Sequence, residues 1–252
     1  MQTLTLATWN VNGIRARKSE VAEFLATERP DVLCLQEIKA RPEQVPEEIR
    51  EPREYRAFWH GAGGYSGVAL LVRKDAFPSR LEVVVPSFDF ETRLLEVRAG
   101  DLLFLSAYVP NGGKDFEAKM RFLRTLEDYV RKLRAGGNPV AVCGDLNVTR
   151  EDRDVHPKER NPQLLGQRPE ERAELEKLLA AGLSDVTRTF HPEDERLFTW
   201  WAPWRRHRER NIGWRLDYIL LDPWLASRAR SCTVRREFGS SDHAPVVATL
   251  EV

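Results

Sequence analysis

The sequence predicts one α/β sandwich domain over residues 1–252. Three observations lead there. Short, nearly continuous apolar runs recur along the whole chain, as strands covered on one or both faces would require. Longer stretches with helical spacing separate some of those runs. No linker, low-complexity tract or repeat marks a boundary between domains.

The strand-like runs are Leu4–Thr8, Val32–Gln36, Val68–Val72, Leu81–Val85, Leu94–Val97, Leu102–Val109, Val140–Val142, Leu216–Leu221 and Val246–Leu250. Among the helical stretches, Ser19–Thr27 aligns Val21, Phe24 and Leu25 on one face. Asp115–Arg134 opens on an N-cap residue, carries Phe116, Met120, Leu123, Val130 and Leu133, and stops at Gly136-Gly137. Pro169–Ala181 has proline in its first turn, a Leu175/Leu178/Leu179 stripe, and Gly182 as its stop. The longest irregular segments are Ala40–Pro52, Arg150–Arg168 and Ala202–Ile212, and loops of that length are usually functional or disordered.

Composition narrows the class. Hydrophobic residues at 42% and charged residues at 31% suit a globular protein with a real core. No apolar run approaches the roughly 18 residues of a membrane span. The start has neither a basic segment nor a small-residue cleavage site, so the expectation is a cytoplasmic protein. Cys34 and Cys143 sit inside strand-like runs and Cys232 stands alone, which reads as reduced core thiols rather than a disulfide or zinc site. The 39 basic and 39 acidic residues cancel, so no global polyanion signature exists. A local basic patch is nevertheless visible in the C-terminal third.

Four polar strand ends carry the chemistry: Thr8-Trp9-Asn10, Leu35-Gln36-Glu37, Gly144-Asp145-Leu146-Asn147 and Ser241-Asp242-His243. If the adjoining apolar runs are neighbouring strands, these ends gather at one sheet edge. Such a cluster is costly unless a hard cation and an anionic substrate share it, as in a metal-assisted phosphodiesterase. Glu37 can bind Mg²⁺ or merely cap its strand. Asp145 and Asn147, two apart in extended chain, point to the same side and can orient water, or they can form an ordinary turn. Gly144 removes bulk where a substrate would approach. His243 needs an orienting acceptor, and Asp217, a carboxylate in an otherwise apolar strand, is the best candidate. His60, His156, His191 and His207 lie in polar contexts and are expected at the surface.

The stretch Phe198–Arg215 interleaves Trp200, Trp201, Trp204 and Trp214 with Arg205, Arg206, Arg208, Arg210 and Arg215. Indoles can stack on bases or line a sugar pocket, arginines can neutralise phosphates, and Trp204 can wedge into a base stack. Trp200 or Trp201 can equally serve as core.

These segments resemble the exonuclease III-type apurinic/apyrimidinic (AP) endonucleases, within the DNase I-like endonuclease–exonuclease–phosphatase superfamily. The resemblance rests on Thr8–Ala16, Leu35–Lys39, Gly64–Leu71, Tyr108–Gly112, Gly144–Val148, Asn211–Tyr218 and Ser241–Val246, in family order across nearly the whole chain. It implies a four-layer α/β sandwich, two packed mixed β-sheets flanked by helices. It implies Mg²⁺, for which Mn²⁺ can substitute, at Glu37 with Asn10, Asn12 and Asp242. Asp145, helped by Asn147, would be the base or water-orienting group, and His243 with Asp217 would contact the scissile phosphate. Tyr108 and Asn111 would hold phosphate oxygens, and Arg15, Tyr65 and Lys114 would touch the DNA backbone. Trp200, Trp214 and Leu216 would line the pocket for a flipped abasic sugar. The implied substrate is duplex DNA with abasic sites or 3′-blocked ends, bound by a monomer without a membrane. Asn12 departs from the family, some of whose members carry Asp there, and the Trp204-Arg205 loop is variable. A superfamily relative acting on inositol phosphates or lipid headgroups, and a silent nucleic-acid-binding protein, are the competing readings.

Overall fold

The computed structural model describes residues 3–252. Its elements in chain order begin with β1 (Thr3–Asn10), α1 (Lys18–Thr27), β2 (Val32–Gln36), α2 (Glu47–Arg50), β3 (Tyr55–His60) and β4 (Val68–Arg73). Next come β5 (Leu81–Val84), β6 (Leu94–Ala99), β7 (Leu102–Tyr108), α3 (Phe116–Ala135) and β8 (Val140–Asp145). The last third contributes α4 (Pro169–Ala180), β9 (Ser184–Asp185), α5 (Val186–Phe190), β10 (Asp217–Leu221), α6 (Pro223–Ala226), β11 (Ala229–Val234) and β12 (Val246–Glu251).

The strands form two mixed six-stranded sheets, ordered β11-β12-β1-β2-β4-β3 and β5-β6-β7-β8-β10-β9. Each sheet has one parallel pair at its centre, β1–β2 and β7–β8. Each such pair is bridged by a helix, α1 or α3, because parallel neighbours cannot be joined by a tight hairpin. The other pairings are antiparallel, so both sheets show the same order of strand directions from edge to edge.

Side-chain alternation along the strands builds the layers. Leu4, Leu6, Cys34, Val68 and Leu70 of the first sheet meet Phe104, Ala141, Cys143, Ile219 and Leu221 of the second in a core between the sheets. The opposite faces are covered by helices. Ala7, Trp9, Leu33 and Leu35 pack under Val21, Phe24 and Leu25 of α1. Val140, Val142 and Leu220 pack under Met120, Leu123 and Val130 of α3 and Leu175 and Leu178 of α4. The expected four-layer sandwich is present. The Asp115 carboxylate caps α3 by accepting from Ala118 N at 2.9 Å, as its position before the apolar stripe suggested.

The elements that the sequence hides are β3, the two-residue β9, β11 and the short helices α2, α5 and α6. Both β3 and β11 are outermost strands with mostly half-buried residues, so neither needs a continuous apolar run. The segments Ala40–Pro52 and Arg150–Arg168 are not featureless either; they hold α2 and short 3₁₀ turns. All three cysteines are buried free thiols. Among the described residues no helix is long and apolar enough to cross a membrane.

Candidate active site

The same alternation that fills the core with apolar side chains delivers polar ones to a single rim. Facing the gap between the sheets, β1 runs Leu4, Leu6, Thr8, Asn10; β2 runs Val32, Cys34, Gln36; β7 runs Phe104, Ser106, Tyr108; β8 runs Ala141, Cys143, Asp145. Strand β10 runs the other way and enters from the rim at Asp217. Register then sets Asp145 between Tyr108 and Asp217 on its two neighbours. One layer deeper, Thr8 Oγ1 donates to Gln36 Oε1 at 3.2 Å and Gln36 Nε2 to Ser106 Oγ at 3.1 Å, a polar bridge between the sheets. Gly144 has a different reason from the one expected: a Cβ there would lie 1.9 Å from the Ala107 carbonyl oxygen, so the missing side chain admits β7 rather than a substrate.

Each buried ionic group at the rim has partners. Asp145 accepts from Asn10 Nδ2 at 2.9 Å and from the Asn147 backbone N–H at 2.9 Å. Asn147 also donates its amide to the Val109 carbonyl at 2.8 Å. His243 Nδ1 pairs with Asp217 Oδ2 at 2.8 Å, while Nε2 faces Asp145 Oδ2 at 3.8 Å. Behind the imidazole, Trp9 Nε1 donates to the His243 carbonyl, and Ser241 Oγ bridges Asn10 O and His243 N. Asp242 accepts from Asn12 Nδ2 at 2.8 Å and Trp200 Nε1 at 3.0 Å.

The electrostatics follow from burial and these neighbours. Burial pushes the Asp145 carboxyl up to about 7, with His243 opposing and Asp217 adding to the rise. Burial alone would lower His243, but Asp217 and then Asp145 outweigh it and push the imidazole up to about 10. Asp242 falls below the usual carboxylate range: burial would raise it, but His243 and the donors Asn12 and Trp200 prevail. Burial, then Glu37 and Asp145, raise the Tyr108 phenol, so it stays protonated. The rim therefore presents a cationic imidazolium and neutral donors beside a carboxylate that titrates near neutrality.

Asn12, Glu37, Lys39 and Asn147 all adopt left-handed backbone, with φ between 44° and 55°. Such strain costs of order 1–3 kcal/mol per residue and tends to gather at functional sites. Lys39 bridges Glu37 Oε1 at 2.8 Å and Asn12 Oδ1 at 2.6 Å, so these two oxygens already converge on one cation. That all-oxygen pair, with water completing the shell, fits a hard divalent ion. Asp145, Asp217 and His243 form a second group whose ligand atoms lie within 4.8 Å of one another.

These groups line a cavity of about 420 Å³ whose walls are Trp200, Trp214, Leu216 and Leu165. The two indoles meet edge to face with centroids 5.3 Å apart. Glu37, Tyr108, Asn111, Asp145, Asn147, Asp242 and His243 all face this space. Asp217 stands behind His243. Asn10, expected beside the metal, stands behind Asp145, and its Oδ1 accepts from the Asn12 N–H at 3.0 Å.

The expected DNA-backbone residues lie outside the cavity. Tyr65 is half exposed and accepts from Arg93 at 2.7 Å in a neighbouring pocket of about 230 Å³ that Lys114 and Asn111 also line. Arg15 is exposed on the turn before α1, and Trp204 is exposed on the 202–212 loop. The Arg-rich stretch divides. Arg215 is fully buried against Asp154, and Arg208 donates to the carbonyls of Arg236 and Phe238, leaving Arg205, Arg206 and Arg210 on the surface. His207 is buried, contrary to expectation. Of the two Trp200/Trp201 neighbours, Trp201 is core and Trp200 faces the cavity.

Sequence reasoning missed Leu165, a lone leucine in a loop with no distinguishing neighbour. It also passed over Lys39 and Arg93. Arg93, nearly fully buried, is stacked between the rings of Tyr65 and Tyr108 at 5.2 and 4.8 Å; it stands just before the Leu94–Val97 run in a charged context, where nothing local marks it as buried.

The chain is 32% identical over 256 residues to Recombination repair protein 1 of Drosophila melanogaster, spanning 99% of this chain but only 37% of that longer protein. It is 30% identical over 256 residues to the Exodeoxyribonuclease of Bacillus subtilis (strain 168), covering 99% of this chain and 100% of the relative. An AP endonuclease structure from Archaeoglobus fulgidus superposes with a TM-score of 0.89 at 30% identity, covering 99% and 100% of the two chains. The model of the Endonuclease/Exonuclease/phosphatase family matches residues 7–243, and with the rim just described this chain belongs to that family.

Proposed function

We propose that this chain is a DNA-repair nuclease that hydrolyses the phosphodiester 5′ of abasic sites in duplex DNA, with Mg²⁺ as its cofactor and an accompanying 3′-end exonuclease or 3′-phosphodiesterase activity. The observation that carries the reading is a polar rim and an indole-walled cavity in one place: Asp145 and His243 sit 3.8 Å apart on the floor, under Trp200 and Trp214. The names of the bacterial and archaeal relatives support both activities.

The chemistry follows from the residues. An abasic sugar has no base to stack or pair, so swinging it out of the helix costs less than flipping an intact nucleotide. Trp200, Trp214, Leu216 and Leu165 wall a space into which that bare sugar would fit. The His243–Asp145 separation is too long for a direct hydrogen bond, so Nε2 and the carboxylate can each reach an oxygen seated beside them in the cavity. Asp217 fixes the imidazolium so that Nε2 donates to a phosphoryl oxygen, while Asn111 and Tyr108 offer neutral donors as negative charge develops; the Asn147 amide instead donates to the Val109 carbonyl and to Asp145. Asp145, held by Asn10 and the Asn147 N–H, orients the attacking water and takes its proton, a role for which a carboxyl near neutrality is suited. Glu37 with Asn12 would hold Mg²⁺, which when bound neutralises charge on the phosphate and the leaving oxygen. The upstream strand departs as its 3′ oxygen takes up a proton from solvent, leaving a 3′-hydroxyl.

The test is one labelled duplex series: abasic, 3′-blocked, uracil-containing and intact DNA, each with and without Mg²⁺, alongside phosphoinositides. Metal-dependent incision of the abasic duplex 5′ to the lesion is expected. Hydrolysis of the phosphoinositides with intact abasic DNA would assign the site to another phosphoester, and tight binding without incision would leave a binding protein.

A further inference from the structure

Helix α3 carries a lysine on its buried face, where an apolar residue would be expected. Lys119 and Glu171 of α4 are both fully buried and paired to each other. The ammonium has three donors, and each goes to a different chain segment. One meets Glu171, one the carbonyl of Asn147 at 2.8 Å, and one the carbonyl of Asn111 at 3.4 Å. The Glu171 carboxylate extends the network, accepting from Gly166 N at 2.8 Å and Arg168 N at 3.1 Å. Gly166 in turn is tied to the loop after β8 by Thr149 N at 2.7 Å. Its left-handed backbone lies so close that a Cβ would stand 3.1 Å from the Asn147 carbonyl oxygen and 3.3 Å from the Trp214 ring.

The three segments joined here are those that present Asn111, Asn147 and Leu165 to the cavity. Their backbones are irregular, so no strand ladder places these side chains. Neither charged group touches the cavity.

We infer that Lys119 and Glu171 are a positioning pair, a buried ionic hub that sets Asn111, the Asn147 support of Asp145, and the leucine wall in place around the substrate. The inference rests on the nuclease reading above. The ammonium fixes the carbonyls of Asn111, which would contact phosphate, and of Asn147, which holds the Asp145 carboxylate, and the Glu171 carboxylate fixes the loop packed on the sugar pocket. A buried ion pair is a poor source of net stability compared with a well-packed apolar pair, so an apolar alternative was open at this position.

Lys119→Met alone strands the Glu171 charge and can unfold the protein, so Lys119→Met/Glu171→Gln is measured beside it. The double variant removes both charges and keeps a side-chain acceptor for Gly166 N. Wild type, single and double variants are compared by single-turnover incision of the abasic duplex, by affinity for that duplex in EDTA, and by thermal melting. The expected result is a cleavage rate about 10- to 100-fold lower in both variants, with DNA affinity within about threefold of wild type. The double variant should regain most of the melting temperature without regaining the rate. A wild-type rate in a folded variant, or a rate that recovers in step with the melting temperature, assigns the pair to fold stability and overturns the inference. Failure of the wild-type protein to incise the abasic duplex would instead sink the nuclease reading, which keeps the two failures distinct.

Discussion

His243 is buried yet charged, and the groups around it explain how both conditions hold. Asp217 neutralises and aims the ring from behind, and Asp145 faces it from the front. Removing the imidazole takes away a donor that strengthens only as charge develops on phosphate. His243→Ala should therefore slow single-turnover incision by about 100- to 1,000-fold with little change in DNA affinity. Equal losses in rate and affinity would make the residue a binding group. Glu37 is different: its oxygen already meets the Lys39 cation, and its charge should set metal affinity. Glu37→Gln should raise the Mg²⁺ concentration at half-maximal rate by about tenfold or more. An unchanged midpoint in a metal titration would remove Glu37 from the metal site.

At the scale of elements, the segments that wall the cavity are held from behind by buried charge. Asp154, in a 3₁₀ turn after β8, accepts from Arg215 at 2.8 and 3.0 Å, and Arg188 of α5 joins it. Arg215 lies between Trp214 and Leu216, so this clamp sits directly behind the sugar-pocket wall. Burial would raise the Asp154 carboxyl, but Arg215 and Arg188 hold it down at about 2, against 3.8 for a free Asp. A lowered carboxyl pKa adds stability that is present above pH 4 and lost as pH falls toward 2, on the order of 2 kcal/mol here. Asp154→Asn should destabilise the protein at pH 7 and flatten its loss of stability between pH 4 and 2. An undiminished slope in acid melting curves would place that loss on other carboxylates. The 202–212 loop gives a second test. Neutralising Arg205, Arg206 and Arg210 should flatten the salt dependence of DNA affinity by up to about one unit of slope for each phosphate left without a cationic partner. Arg208→Gln should lower the melting temperature and leave the slope alone, because its guanidinium already serves backbone carbonyls.

For the whole molecule, the two sheets share one core. Leu4 and Leu250 from the two ends of the chain lie in the same inter-sheet cluster as Phe104, Cys143 and Ile219 from its middle. Strand β12 returns beside β1, so the first sheet cannot form without both ends of the chain. A single cooperative unit should then unfold in one calorimetric transition, with tryptophan fluorescence and far-ultraviolet circular dichroism changing together. Two separated transitions would divide the chain into independent domains. The rim crosses the boundary between the sheets, since Asn10 and His243 belong with the first sheet and Asp145 and Asp217 with the second. Loosening the packing between the sheets should therefore disturb the site before it disturbs either sheet.

The residues by themselves settled much of this protein. Apolar runs and caps placed the central strands and the three main helices, because a buried strand must be apolar and a buried helix must carry a stripe. Polar groups at the ends of such runs marked the rim, since a charge beside a core has to be matched. Tertiary structure decided the rest. Edge strands β3 and β11 break their apolar residues with Arg56 and with Arg230-Ser231, so neither shows a continuous apolar run. Whether an arginine meets solvent or a backbone carbonyl depends on packing from distant segments, which separates Arg208 and Arg215 from Arg205, Arg206 and Arg210. Leu165 becomes a pocket wall, and Lys119 a hub for three loops, only when the chain brings remote residues against them; local composition carries no signal for a partner supplied from a distant part of the sequence.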